Sequence, residues 1–402
     1  MSEPPSVMPI EVAFPRLHFG LGCLERLPAI LAQACGPVAR VLLLVDPGVA
    51  SSGERAAEAL RQAGHEVAVM ANVRSDPLAE DIDAAAGEAR AFGAQAVVGL
   101  GGGSALDMAK LVAATAPAPD GVAGYCLGAR AFPEGALPTV LIPTTAGTGS
   151  EATRTAILTL ASGAKVWAWG EGLRARAALL DPELTLSLPP ALTAATGVDA
   201  LVHAIEAVTS RRSHPLVGAP ALQAIRLVRR ALPRALAVPD DLEARGEMLL
   251  ASWLAGQAID LAGTGVAHAL GHALGVLGHV HHGRAVAMSL RVALTGNAAA
   301  APAAHAEVAR AFGFDGSDEA GLAAALPQAF EAFLQSLGVD LDLSGSGLVP
   351  RALVAQTLAP ENRPMLDANC RALDQADLLR LAEALLAPPV AAAAPLNGAR
   401  PI

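Results

Sequence analysis

The first half of the chain alternates short, continuously apolar runs with segments whose apolar residues recur at helical spacing. Runs that are apolar throughout, instead of at every second position, are typical of parallel strands buried on both faces. The pattern therefore predicts a doubly wound α/β layout with helices covering a parallel sheet. The predicted strands are ARVLLLVD (39–46), HEVAVMA (65–71) and AQAVVGLGGG (94–103), and the helices between them are SSGERAAEALRQAG (51–64) and DIDAAAGEARAFG (81–93).

The strand signal fades near Pro189 and Pro190, and nearly every later segment has helical spacing. We therefore predict two domains, an α/β dinucleotide-binding domain over 1–186 and an all-α helical domain over 187–402 that carries the metal and catalytic groups. The Pro- and Ala-rich end, from about 388, is predicted to be a loose tail. The helices predicted in the second domain contain AATGVDALVHAIEAVTS, PALQAIRLVRRALPRAL, GEMLLASWLAGQAID, GRAVAMSLRVALTGNA and DQADLLRLAEALLA.

Composition narrows the class of protein. With 53% apolar and 16% charged residues, the 402-residue chain can bury a large core. A net charge of -10, with no basic run, argues against a nucleic-acid partner. The sequence predicts no membrane span, no signal peptide and four scattered, reduced cysteines, which together indicate a cytoplasmic protein.

A glycine turn follows the third predicted strand. Glycines here allow a ligand to approach the backbone closely, and Ser104 is predicted to cap the following helix, whose free N–H groups favour a diphosphate. The turn, with Gly102 and Gly103, is therefore a candidate dinucleotide site. Asp46 ends the first predicted strand, where it is either a ribose ligand that disfavours a 2′-phosphate or a turn residue before Pro47.

A third loop, IPTTAGTGSEATRTAI (142–157), follows another apolar strand. Its hydroxyl groups could hydrogen-bond a phosphate or a nicotinamide amide, or could cap the next element. Ligands of such folds bind at the carboxyl ends of the strands, which favours the first use. The hydroxyl residues concerned are Thr144, Thr145, Thr148 and Ser150.

Histidines and one aspartate in the second half predict a metal site. Asp199 and His203 are four residues apart on a helical pattern and project from one face, and His268 and His272 repeat this spacing. His282 follows in the same histidine-rich stretch, after a predicted turn. One carboxylate with imidazoles from two helices and a loop suits a first-row divalent ion such as Fe(II) or Zn(II).

The other histidines carry no predicted chemistry. His279 and His281 lie in the same stretch but have no assigned role. Single histidines in polar or loop contexts are more often structural or surface residues than ligands. This applies to His18, His65, His214 and His305.

Together these segments resemble the iron-containing (group III) alcohol dehydrogenase family. The matching segments cover nearly the whole chain in the expected order, and they include FGLGCLERLPAIL, GLGGGSALDMAK, IPTTAGTGSEATR, the DALVHAIEA segment, the histidine stretch and ENRPMLDANCRALDQADLLRLAEALL. The resemblance implies metal ligands at Asp199, His203, His268 and His282. It places His272 near the bound alcohol, where the ordinary pKa of imidazole suits a proton relay.

The resemblance also implies an NAD cofactor and a homodimer. It assigns cofactor binding to the two loops already described, places a lysine near the cofactor ribose at Lys165, and links an acid at Asp46 with NAD use. The loop residues concerned are Gly102, Gly103, Ser104, Thr144, Thr145 and Thr148.

The chain departs from the family pattern near the histidine stretch. Ile259 and Asp260 replace a usual phenylalanine and asparagine, Ala273 replaces a proline, and HHG replaces PHG. The segment between Lys165 and the next Asp-Pro pair is also unusual. All four ligand positions are intact, so these differences concern the substrate pocket and not the reaction class.

The sequence thus predicts a metal-dependent NAD(H) alcohol dehydrogenase or aldehyde reductase that acts on a small alcohol or aldehyde. Three alternatives are weighed against it. A maleylacetate-reductase-type enzyme would work without metal, and a dehydroquinate-synthase-like lyase would use NAD and zinc with a Glu, His, His set. A metal-binding protein without catalysis would not bind NAD(H).

Overall fold

A computed structural model describes residues 12–36, 40–118, 120–343 and 345–388. The described part of the first half contains a six-stranded sheet and a two-stranded hairpin, with helices between the strands. The strands are β1 (Arg16–Phe19), β2 (Arg40–Val45), β3 (Glu66–Met70), β4 (Ala96–Gly101), β5 (Thr139–Pro143), β6 (Thr155–Thr159), β7 (Lys165–Trp169) and β8 (Ala177–Leu180). The helices are α1 (Leu27–Cys35), α2 (Ala50–Gln62), α3 (Ala79–Phe92) and α4 (Gly103–Thr115).

The large sheet is parallel throughout, with strand order β1-β8-β5-β4-β2-β3. Successive residues of β2 point to opposite sides, so that Leu42 and Leu44 enter one core and Leu43 and Val45 enter the other. Both cores are completed by helices, as the continuously apolar strands predicted. The α/β fold class is therefore confirmed, while β1 and the antiparallel β6–β7 hairpin were not predicted.

The described second half is helical. Its helices are α5 (Pro190–Thr209), α6 (Pro215–Ala237), α7 (Leu242–Ala262), α8 (Val266–Gly278), α9 (His282–Ala300), α10 (Pro302–Ala311), α11 (Glu319–Ser336), α12 (Pro350–Thr357), α13 (Arg363–Ala368) and α14 (Gln375–Leu386). They pack around an Ala-, Val- and Leu-rich core. The predicted boundary at residue 187 falls between the last strand and α5 and stays a prediction. Most of the predicted tail lies outside the described residues.

Within the described ranges one helix, α5, is long and apolar enough by composition to cross a bilayer, and α7 with α8 would pass the same test as a pair bent by 104°. The apolar window of α5 is 78% buried inside the protein. Its residues include the buried Asp199 and His203. We therefore describe α5 as a core helix of the helical half.

Candidate active site

The candidate cofactor loops meet at the edge of the sheet where the strand order reverses. The chain runs from β2 outward to β3 and then returns to the other side of β2 as β4. Ligands of open parallel sheets bind at such a reversal, outside the carboxyl ends of the strands. Asp46 follows β2 and Gly102 follows β4, and the Asp46 N–H donates to the Leu100 carbonyl across this gap at 3.0 Å.

Asp46 has the turn role that was one of its two alternative predictions, and its role as a ribose ligand stays a prediction. Its Oδ1 accepts a hydrogen bond from the Gly48 N–H at 2.8 Å, which is a turn role. Its Oδ2 lies 3.9 Å from where a Cβ would stand on Gly102. One carboxylate oxygen therefore holds the turn while the other faces the glycine loop.

The predicted capping role of Ser104 is wrong. Helix α4 begins at Gly103 with Gly102 in the N-cap position, and no side chain caps it. The Ser104 hydroxyl instead accepts a hydrogen bond from the Asp76 N–H at 3.1 Å. The first N–H groups of this 13-residue helix are thus left without a side-chain acceptor, which is the arrangement that binds a phosphate group.

The threonine loop packs directly against the glycine turn. Thr145 Cγ2 lies 3.5 Å from the Cβ position of Gly102, and Thr148 Cγ2 lies 2.7 Å from that of Gly103. A side chain on Gly103 would therefore separate the two loops. Thr144 is buried after β5. The structure brings all three predicted threonines to the loop beside the turn.

A buried network that was not predicted joins this loop to α4. Lys110 is fully buried, and its Nζ donates to the carbonyls of Ser150 and Thr155 and lies 3.1 Å from Asp107 Oδ1. Asp107 accepts hydrogen bonds from the Ser150 hydroxyl at 2.5 Å and from the Ile157 N–H at 3.0 Å. The Ser150 hydroxyl therefore stabilises the protein interior instead of facing a ligand.

Glu151, in the same loop, is a buried carboxyl whose Oε1 has no hydrogen-bond partner in the described part of the chain. Burial raises its pKa from 4.5 to about 7, against the opposing effects of a hydrogen bond to its own backbone and of Lys110, while Asp107 adds to the rise. A raised carboxyl pKa means that the folded protein binds more protons than the unfolded chain between these pH values. The contribution of protonated Glu151 to the free energy of unfolding is complete below about pH 4.5 and is lost as the pH rises through 7.

Glu151→Gln is therefore expected to become more stable relative to the wild type as the pH rises from 4.5 to 8, by up to about 3 kcal/mol. Urea unfolding across this pH range measures the difference. Glu134→Gln, at an exposed position, is the matched control and should show no such trend. A stability difference independent of pH would contradict the assignment.

Lys165 interacts with a residue bonded to the glycine turn and with two of the histidines. Its Nζ pairs with the Asp76 carboxylate, and the Asp76 N–H is the group that donates to Ser104. Its charge also contributes, after burial, to the lowered pKa values of His272 and His282. The structure thus places Lys165 near both parts of the site.

Four predicted metal ligands come together in the helical half. Asp199 and His203 lie one turn apart on α5, and His268 lies on α8. His282 is the first residue of α9 and not part of a loop, which corrects the prediction. The Nε2 atoms of the three histidines lie 3.6–3.8 Å from Asp199 Oδ1.

One potential ligand atom from each of these residues lies within 4.8 Å of the others. Asp199 Oδ1 and His268 Nε2 are buried and have no hydrogen-bond partner among the residues that the structure describes. Leaving such atoms unpaired costs about 1–3 kcal/mol each. Separations of this size are too long for hydrogen bonds but suit ligands that share one ion at about 2.1 Å. These four residues fit a divalent metal.

Two hydrogen bonds orient the imidazoles. His268 Nδ1 donates to Glu206 Oε2 at 2.6 Å, and His203 Nδ1 donates to the Gly147 carbonyl at 3.3 Å. In the neutral form of each ring, these bonds place the proton on Nδ1 and leave Nε2 facing Asp199. Glu206 also accepts from the N–H groups of Gly265 and Ala267 at the start of α8. Glu206 was not predicted, although an acid three residues after His203 on an apolar helix was a usable signal.

The cluster is electrostatically suited to a cation. Burial opposes the charge on Asp199, but the neighbouring histidines hold its pKa below the ordinary value. Burial likewise opposes charge on His268, yet Glu206 and Asp199 raise its pKa to about 9. Burial lowers the pKa values of His203 and His282. Two buried carboxylates thus face a group of imidazoles, and a divalent ion would balance their charge.

Close packing of α9 on α5 places His282 beside Asp199. A Cβ on Gly283 would lie 2.1 Å from the Ala195 carbonyl oxygen of α5. Only glycine fits this contact, so Gly283, the residue after His282, determines how closely α9 packs on α5. His279 and His281 are exposed, at the end of α8 and before the start of α9.

His272 lies on α8 with its ring centroid 5.5 Å from that of His282. Burial, together with the charges of Lys165 and His268, lowers its pKa to about 3. The imidazole is therefore neutral near pH 7, which differs from the ordinary pKa assumed in the sequence analysis. A role in proton handling stays a prediction.

The unusual Asp260 links the two halves of the molecule. Its carboxylate, with the side chain 1% exposed, accepts from the backbone N–H and the Nε of Arg154 at 2.8 and 3.0 Å. Arg154 also pairs with Glu171 and lies 4.9 Å above the ring of Trp169 on β7. An asparagine at residue 260 could not provide this charge.

Relatives cover almost the whole chain. It is 35% identical to long-chain-alcohol dehydrogenase 1 of Geobacillus thermodenitrificans over 91% of this chain and 96% of that protein. It is 34% identical to sulfoacetaldehyde reductase of Bilophila wadsworthia over 92% and 97%.

Solved structures share the fold. The crystal structure of a 1,3-propanediol oxidoreductase superposes with a TM-score of 0.87 at 29% identity, covering 94% of this chain and 100% of that one. The sulfoacetaldehyde reductase of Bifidobacterium kashiwanohense, solved in complex with NAD+, gives 0.85 at 30% identity, covering 94% and 99%.

Two family models match the chain in sequence. Residues 15–182 match the model of the iron-containing alcohol dehydrogenases. Residues 193–386 match the model of the C-terminal part of the same family. The chain therefore belongs to the iron-containing alcohol dehydrogenase family.

Proposed function

We propose that this chain is a metal-dependent NAD(H) alcohol dehydrogenase, or aldehyde reductase, for a small alcohol or aldehyde. The observation that carries the proposal is the buried cluster of Asp199, His203, His268 and His282, in which two potential ligand atoms lack partners. Lys165 supports the same site. In addition to burial, its charge lowers the pKa of His272 beside the cluster, and it pairs with Asp76 near the uncapped start of α4. Family membership and the oxidoreductase names of the relatives support the same activity.

The four clustered residues would hold Fe(II), and the same donor set also suits Zn(II). When bound, the metal supplies a Lewis acid for the substrate oxygen, and NAD(H) supplies the acceptor or donor of hydride. Glu206 keeps His268 in the tautomer whose Nε2 faces the site. His272, neutral and beside His282, would orient the substrate hydroxyl.

The cofactor would lie across the gap between β2 and β4. The first N–H groups of α4 would bind its diphosphate, and the free oxygen of Asp46 would bind the ribose and disfavour a 2′-phosphate. Lys165 would lie near the nicotinamide end, on the side of the histidines. The residues proposed for cofactor binding are Asp46, Gly102, Gly103, Ser104, Thr144, Thr145, Thr148 and Lys165.

We also propose a cytoplasmic homodimer whose partners are small molecules, with neither nucleic acid nor membrane among them. All four cysteines are free, which suits a reducing compartment. In the described part of the chain, β1 is an end strand of the parallel sheet, and Phe19 and Leu21 are 44% and 59% exposed there. Such an edge offers a surface for a second copy. Light scattering of the purified protein tests the oligomeric state.

We expect purified protein loaded with Fe(II) or Zn(II) to bind one metal ion per chain and to oxidise NADH in the presence of small aldehydes. Metal analysis combined with an NADH-oxidation screen measures both properties, and NADPH tests the proposed role of Asp46. Exhaustive chelation should abolish turnover. Activity that survives chelation would favour the metal-free reductase alternative, and failure to bind NADH would contradict a dehydrogenase.

A further inference from the structure

His272 is held by a buried amide that the proposed function does not use. Its Nδ1 lies 3.2 Å from Asn362 Oδ1, and Asn362 has no exposed surface. The Nδ2 of Asn362 donates to the Gln356 carbonyl at 2.9 Å. A carbonyl oxygen can only accept a hydrogen bond, so the amide nitrogen must face Gln356 and the amide oxygen must face His272.

This orientation has a direct consequence for the imidazole. Asn362 Oδ1 can only accept, so a neutral His272 must carry its proton on Nδ1. Its Nε2 then has a lone pair and no proton. We propose that Asn362 is a positioning residue that fixes His272 in the Nδ1–H tautomer, so that Nε2 accepts a hydrogen bond from the hydroxyl group of the alcohol substrate. This inference rests on the proposed function, because it requires an alcohol at this site.

The segment that carries Asn362 is anchored from both sides. The indole Nε1 of Trp167, on β7, donates to the Glu361 carbonyl at 2.9 Å. The Gln356 side chain donates to Glu361 Oε1 at 3.1 Å. The hairpin that carries Lys165 is therefore tied to the residue next to Asn362. These contacts hold the amide in place without a ligand.

The Nδ1–H tautomer of His272 distinguishes the alcohol from the aldehyde. An alcohol has a hydroxyl proton that it can donate to Nε2, whereas an aldehyde oxygen can only accept and gains nothing from an unprotonated nitrogen. Loss of the Nδ1–H tautomer should therefore weaken the binding of alcohol more than that of aldehyde. A purely structural role for Asn362 would affect both substrates alike.

The unmodified protein provides the first test. Nitrogen-15 NMR of full-length, zinc-loaded protein labelled at histidine separates protonated from unprotonated ring nitrogens, and the His272→Gln spectrum assigns the signals. We expect His272 with a protonated Nδ1 and an unprotonated Nε2. A protonated Nε2 in the wild type would overturn the inference, whether or not the protein is an alcohol dehydrogenase.

Variants give the second test. Asn362→Leu should mix the two tautomers and raise KM for alcohol about three- to tenfold more than KM for aldehyde. Gln335→Leu, which removes an exposed side-chain amide on α11, is the matched control. Equal changes for alcohol and aldehyde in Asn362→Leu would overturn the inference. Wild-type protein without redox activity would instead reject the proposed function alone.

Discussion

Asp199→Asn is expected to lower metal affinity and metal-dependent turnover by roughly 100-fold or more, since changes even to groups that only orient metal ligands cost about 10–100-fold. Asp199 is the one carboxylate among the four clustered residues, and its Oδ1 is the atom to which all three Nε2 atoms are close. The asparagine keeps the volume of the side chain but removes the negative charge.

Metal content after dialysis against a chelator measures this loss without depending on activity. NADH binding should survive, because the cofactor loops follow strands of the sheet and the metal cluster lies on helices. Asp367→Asn, which removes a partly exposed surface carboxylate, is the control for charge. Retention of a full equivalent of metal by Asp199→Asn would remove this residue from the proposed ligand set.

Lys110→Met is expected to destabilise the protein by about 3–5 kcal/mol, because it leaves the Asp107 charge buried without its partner. It also removes the donor to the carbonyls of Ser150 and Thr155. Urea unfolding measures the change. The only other lysine, Lys165, forms a more exposed pair, and Lys165→Met should cost at most about 1 kcal/mol.

A double-mutant cycle shows whether the unpaired charge of Asp107 causes the loss of stability in Lys110→Met. Adding Asp107→Asn to Lys110→Met removes the unpaired carboxylate and should restore part of the lost stability. If the double variant were as unstable as the sum of the two single variants, the ion pair would not be the source of the effect.

Much of the fold follows from local pattern. The runs that form β2 and β4 are continuously apolar because helices cover both faces of the sheet, and this pattern can be read from a single sequence. The β6–β7 hairpin was not recognised because its antiparallel strands stand apart from the large sheet. Their alternation in TAILT and KVWAW is short and lies next to loops with similar composition.

Part of the site could also be predicted from the local pattern of the sequence. Asp199 and His203 share a helix face, and this local spacing predicted their proximity. The partners that orient the histidines were not visible, because Glu206 is 62 residues from His268 and Asn362 is 90 residues from His272. Such contacts arise only when distant helices pack together. The prediction that Ser104 caps α4 was wrong because its hydroxyl accepts a hydrogen bond from Asp76, which lies outside that helix.

The position of His282 at the start of α9 has a consequence for the lifetime of the protein. The four proposed ligands come from three helices, so an unfolded chain offers no assembled site and metal would bind the folded state alone. Free metal at 100 times its dissociation constant would then add about 2.7 kcal/mol to the free energy of unfolding. Resistance to proteolysis should therefore follow metal supply, and a metal-starved cell would lose the protein itself as well as its activity.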